Sequence, residues 1–318
     1  MRLKKWVERT VEVISRGNAR EDGNRFDAAE TAMFKNQLEH MMEELFDVEY
    51  PDLMSKVFFP TDHNTPTGAT SFSYKSFDRY GQAKIGGNYS DDAPLVNVDG
   101  TEYSGKIVPV RDAYSISVQD IRAAAMAGTP LDTMLADTAR HVIEQSIDDL
   151  AAFGDADAGL KGFLDHDLID TVGVVTGTWG TADPLEIIED VQALWNSIPI
   201  ATKLKHRPNT LLVPPAKWNE LQKIVPNTTV PISSWLIEHL PGLQSLEQWV
   251  LLDEAGSGDA PRLMAYERSP RTGRIELPQE FEQFEPQWKN LAYVVNCHAR
   301  CGGAKVFYPK AFAYMDGI

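Results

Sequence analysis

The sequence predicts an α+β protein with one continuous body and two projections. Three observations predict it. Residues 113–164 run through a strand, a short Ala-rich helix, a long amphipathic helix, the turn Phe153-Gly154-Asp155 and a Gly-rich loop. Beyond residue 200 strand-like and helix-like segments are mixed in order, with no internal repeat and no linker. Residues 1–112 hold one helix and a mostly polar ribbon, with few side chains to fill a core. The chain's 318 residues suit one large domain or two medium ones.

Each element follows from its local pattern. Residues 3–16 are weakly amphipathic, and 17–25 read as a polar hinge. Ala32, Phe34, Leu38, Met41, Met42, Leu45 and Phe46 recur at helical spacing and predict a helix over 27–47. Phe72 and Tyr74 alternate with polar residues, so 69–118 reads as strands, with a polar tip at Asn88 to Asp92 and a hairpin turn at Asp99-Gly100. Val108, Val110, Tyr114, Ile116 and Val118 share one face of the returning strand. Thr129-Pro130-Leu131-Asp132 is a capped helix start. Leu135, Ala139, Val142, Ile143, Ser146, Ile147 and Leu150 form the stripe that follows, and Gly154 ends the helix. Asp183-Pro184-Leu185-Glu186 repeats the start, for a helix burying Ile187, Ile188, Val191, Leu194, Trp195 and Ile198. Strands are expected at 210–213, 249–252, 263–266, 291–301 and 306–308, a short helix after Pro214-Pro215, and another helix over 233–240.

Composition narrows the function. The net charge of −16 repels nucleic acid over most of the surface, which argues against DNA binding as the main role. Residues 1–25 differ, with seven basic and four acidic side chains, a net +3 that leaves −19 on the rest. A basic arm on an acidic body suits an arm lying on a neighbouring subunit, and equally a terminus that is simply solvated. Two cysteines make no disulfide framework, and there is no apolar run of membrane-spanning length or secretory leader.

Motifs for chemistry are missing. Gly105-Lys106 is followed by Ile107 and so makes no phosphate loop, and neither a dinucleotide fingerprint nor a G-x-S-x-G elbow occurs. In a strand Cys297 and Cys301 face one way and His298 the other, so they cannot converge on a metal. Asp155, Asp157, Asp165 and Asp167 surround a Gly-rich loop but lack the spacing of a calcium loop. His141 reads as partly packed, Trp179 as a packing anchor, and Gly256-Ser257-Gly258-Asp259 as a turn. No cofactor, metal site or catalytic residue is expected.

Several segments carry a family resemblance. They are Gly81 to Ile85, Asp91-Asp92-Ala93-Pro94, Ala152 to Asp155 with Gly159 to Leu164, Pro208 to Leu212, and Tyr308 to Phe312. Their order and spacing resemble the major capsid proteins of tailed phages and prophages (Caudoviricetes), with the Hong-Kong-97-type fold. The resemblance implies an N-terminal arm at 1–50, a connector at 51–68 and an extended loop at 69–112. It implies a peripheral domain from 113–182 and 291–318 with its spine helix at 129–153, and an axial domain at 183–290. Contacts between subunits would then involve Arg2, Lys4, Lys5, Trp6, Arg9, Arg79, Tyr80, Lys84, Asn88 and Tyr89.

The implied function is a non-enzymatic shell subunit, assembled as pentamers and hexamers into an icosahedral head around double-stranded DNA bound without sequence specificity. The implied partners are other copies of the chain with separate scaffolding, portal and decoration proteins, and no membrane. The implied location is the virion capsid, assembled in the host bacterial cytoplasm. Many relatives begin with a cleaved scaffolding segment, and this chain is expected to use a separate scaffold or none. Some relatives join subunits through Lys–Asn bonds. Lys84 with Asn290 or Asn296 could pair in that way, but no catalytic Glu can be assigned, and no cross-link is expected. The rival readings are an encapsulin-like compartment around cargo enzymes and, more remotely, a soluble enzyme.

Overall fold

The computed structural model describes residues 51–85, 94–127, 131–175 and 177–318. The weakly amphipathic stretch at 3–16, the expected helix at 27–47, the tip at Asn88 to Asp92 and the cap at Thr129-Pro130 lie outside the described residues.

Residues four apart stack on one side of a helix. In α3 (Leu131–Ala152), which follows α1 (Ser55–Phe58) and α2 (Val118–Ala127), the buried row is Ala139, Ile143, Ile147 and Ala151. Val142, expected on this row, is 42% exposed because it sits about 100° round the helix from Ile143. At the end of α3 Gly154 adopts φ +72°, and a Cβ there would lie 2.4 Å from the Leu160 carbonyl oxygen. Only glycine fits that turn. It leads into the short pair β5 (Gly154–Asp155) and β6 (Leu160–Lys161).

The helix shares its core with a sheet. β4 (Val108–Ser117) pairs antiparallel with β14 (Ala292–Cys301) along their whole length, from Ser117 opposite Ala292 to Val108 opposite Cys301. β12 (Gln279–Gln283) and β13 (Gln287–Lys289) divide the other edge of β14. Tyr114, Ile116, Val295, Cys297, Ala299 and Cys301 form the buried face. The apolar face was expected to start at Leu291, but Leu291 sits in the β13–β14 turn at φ +58° and is 72% exposed. Tyr293 is also exposed, with its ring edge-on to Trp288.

A second sheet lies between two apolar clusters. Its order is β7 (Asp170–Gly173), β16 (Phe312–Asp316), β10 (Arg262–Tyr266), β8 (Thr210–Val213) and β9 (Ser245–Gln248). Alternate residues of a strand point to opposite faces. Met264, Tyr266, Phe312, Tyr314 and Leu212 join the α3 cluster. Leu263, Ala265, Ala313, Met315, Leu211 and Val213 join a cluster built on α4 (Pro184–Ala201). Burial on both faces explains the unbroken apolar run of β8.

Helix α4 buries the side chains its spacing predicts, and at its start the Asp183 N–H donates to Glu186 at 2.9 Å. Two short helices, α5 (Pro215–Trp218) and α6 (Ile232–His239), follow. Residues 249–252 differ from the expected strand. Trp249 and Leu252 are both buried because a 3-10 helix over Val250–Glu254 brings residues three apart to one side. The strand expected at 306–308 also differs. β15 (Ala304–Val306) ends there, the Phe307 and Tyr308 N–H groups both donate to the Thr272 carbonyl, and Pro309 cannot extend a ladder. β15 instead pairs with β11 (Gly273–Glu276), which also takes up β1 (Thr61–Asp62).

Candidate functional site: the exposed ribbon and its root

β2 (Ser71–Tyr80) and β3 (Asn97–Lys106) pair over ten positions. Among the described residues they pair only with each other. Asp99-Gly100 is not a turn but lies within β3, opposite Asp78 and Phe77. A Cβ at Gly100 would come 3.2 Å from the Phe77 ring, so this glycine clears space for a cross-strand aromatic. Asp78 and Asp99 face each other directly, an unfavourable like-charge pair. Phe77, Tyr80, Val98 and Tyr103 are all about half exposed or more, at 62%, 52%, 53% and 46%. Such a ribbon buries too little to be stable alone.

The expected contact residues spread along it. Arg79 and Tyr80 are exposed at the outer end of β2 and, being adjacent, point to opposite faces. The Tyr80 hydroxyl accepts from Asn97 Nδ2 at 2.8 Å. Lys84 is exposed beyond the strand. Arg2, Lys4, Lys5, Trp6, Arg9, Asn88 and Tyr89 lie outside the described residues.

At the root the ribbon meets charge buried in the body. Lys305 Nζ lies 3.1 Å from Glu276 Oε2, with the two side chains 7% and 0% exposed. The Thr65 hydroxyl donates to the other oxygen of Glu276. The same ammonium is 4.1 Å from the centroid of the Phe72 ring, 5.4 Å from Phe307 and 5.8 Å from Tyr74. Arg274 pairs with Asp62 at 2.6 Å and lies 5.1 Å from the Phe307 ring. Sequence reasoning found Phe72 and Tyr74 by their alternation but missed Lys305, since nothing local marks a lysine for burial.

The chemistry of other groups is muted. Burial pushes the Cys301 thiol up to about 11 and raises Cys297 as well, which keeps both protonated and poorly reactive. His298 lies in a groove with Arg111, Phe284, Asn296 and Cys297, and burial followed by Arg111 and Arg300 lowers its pKa. No group of three His, Cys, Asp or Glu side chains among the described residues could hold a metal ion. No helix among them is long and apolar enough to cross a membrane.

Residues 81–318 match the family described as major capsid protein. The chain belongs to the major capsid protein family. Its role is therefore that of a structural subunit in a shell built from many capsid subunits, and its place is the virion capsid. The family is a structural one rather than a known enzyme family.

Solved structures show the same fold for this capsid subunit. The capsid of the Myoviridae phage XM1 is similar with a TM-score of 0.80 at 16% identity, covering 94% of this chain and 100% of that one. A chain of Mycobacterium phage Ogopogo is similar at 0.63 and 14%, covering 91% and 99%. A virus-like particle from Pyrococcus furiosus is similar at 0.55 and 15%, covering 82% and 91%. Among curated proteins nothing matches the sequence.

Proposed function

We propose that the chain forms pentamers and hexamers of an icosahedral phage head around double-stranded DNA, assembled in the bacterial cytoplasm. The observation that carries this reading, beyond the family itself, is the ribbon. Its ten-residue strands are exposed on both faces and display apolar side chains, so the cover they need comes from neighbouring subunits. In this reading 69–112 is the extended loop, with Arg79, Tyr80, Lys84, Asn88 and Tyr89 against a neighbour. Residues 1–50 are the arm, with Arg2, Lys4, Lys5, Trp6 and Arg9 on neighbouring acidic surface.

The peripheral domain comprises 113–182 and 291–318 and the axial domain 183–290, and 51–68 connects the arm to the loop. The sheets cross these boundaries. β12 and β13, from the axial segment, pair with β14, and β16 pairs with β10. The two domains are therefore fused along shared sheets rather than hinged by a linker. The chain's acidic surface keeps packaged DNA from adhering to the wall. Scaffolding, portal and decoration proteins are the further partners.

Negative-stain electron microscopy of the protein expressed alone tests the reading. Closed shells or rings of five and six subunits are expected. A uniform monomer or dimer at high concentration, unchanged by a co-expressed scaffold, overturns it. Shells that enclose proteins rather than DNA in infected or induced cells would select the compartment reading instead.

A further inference from the structure

We propose that Lys305 is a positioning residue that latches the ribbon at one angle to the body, and so sets the curvature at which subunits join. The inference rests on the shell reading above and names what controls its ribbon. Among the described residues β2 and β3 share no ladder with the body's sheets, so beyond Ile107 no strand pairing with the body fixes their direction. What does touch the body at the root is aromatic. Phe72 sits under the Lys305 ammonium, and Tyr74 meets Phe307 edge-on with its hydroxyl 3.4 Å from the Val306 carbonyl oxygen.

The space around Phe72 is shaped for it. A Cβ on Gly105 would come within 2.3 Å of the ring and one on Gly302 within 3.1 Å, so two glycines make room for one aromatic side chain. The cation is itself immobile, because Glu276 holds it and Thr65 holds Glu276. A buried ion pair is seldom the cheapest way to stabilise a fold, since apolar residues of similar volume often serve as well. A buried cation does supply a fixed, oriented attraction for a ring face. Lys305 therefore converts a loose apolar contact into a seat with one position, at the point where a small change of angle moves the outer end of the ribbon furthest.

The test is the full-length double variant Lys305→Met with Glu276→Gln, which removes the cation without leaving a buried charge. The expected result has three parts. The subunit melts within a few degrees of wild type, protease cleavage within 71–106 rises about tenfold as the cation–π attraction is lost, and particle diameters broaden. Lys305→Arg, which keeps the cation, restores narrow diameters. Wild-type cleavage and narrow diameters in the double variant overturn the latch. If the double variant does not fold, Phe72→Leu, which keeps the ion pair and removes the ring, takes its place with the same expected and overturning results. A wild-type chain that forms no particles overturns the shell reading, and the cleavage comparison still decides the latch.

Discussion

Trp179 shows what a single side chain does here. Its position in a Gly-Thr-Trp-Gly segment suggests an anchor, and the structure shows how it is held. Fully buried, it donates Nε1–H to Asp190 at 3.1 Å, while the other Asp190 oxygen accepts the Val175 N–H at 2.9 Å. Trp179→Phe keeps the ring and takes away a donor from a buried carboxylate, so it should cost about 1–3 kcal/mol in urea unfolding. Asp190 itself reads as an ordinary polar helix residue, because its partners lie in another segment. Asp149 on α3 is similar. Burial, with Asp148 beside it, pushes its carboxyl from 3.8 up to about 6. The folded chain then keeps a proton that the unfolded chain releases, so this group's contribution to stability falls as pH rises from about 4 to 6. Asp149→Asn should stabilise the subunit at pH 7 by about 1–2 kcal/mol, a figure discounted for partial exposure. The gain in melting temperature should vanish below about pH 4, and a gain independent of pH would contradict the assignment.

At the scale of elements, legibility depended on whether the signal was local. The stripes of α3 and α4 and the capping box of α4 are set by residues within one or two turns, and both helices form where spacing places them. Gly154 belongs to the same class. Gly154→Ala should lower stability by more than about 1 kcal/mol, measured by thermal unfolding, because alanine is strained at φ +72° and has no room there. Errors came where one local pattern admits two structures. Asp99-Gly100 has the composition of a turn, but cross-strand pairing with Phe77 uses its glycine for clearance. Trp249 and Leu252 were compatible with a strand end, yet their separation of three also suits a tight helical turn. Strand β16 was not anticipated at all. Phe312 to Met315 are all apolar because they lie between two cores, so no polar face announces the strand.

For the whole molecule, the proposed shell reading makes the basic first 25 residues, against the acidic remainder, an arm that works on other copies. Deleting residues 1–25 should leave a folded subunit with a near wild-type melting transition that fails to close shells, and normal shells from that truncation would refute this role. The shell subunit itself is legible in the chain, through the absence of catalytic motifs and the order of several weak family segments. By itself the sequence determined α2 to α6, the ribbon without its turn, the charge division and the family, since each rests on neighbours in the chain or on composition. Only the tertiary structure decided that one sheet separates two cores, that β4 and β14 pair across nearly two hundred residues of chain, and that Lys305 is buried against the face of Phe72. The physical reason is the same in each case. Which distant strand fills an edge, and which cation meets which ring, depends on groups brought together by folding, and no short window of sequence contains both partners.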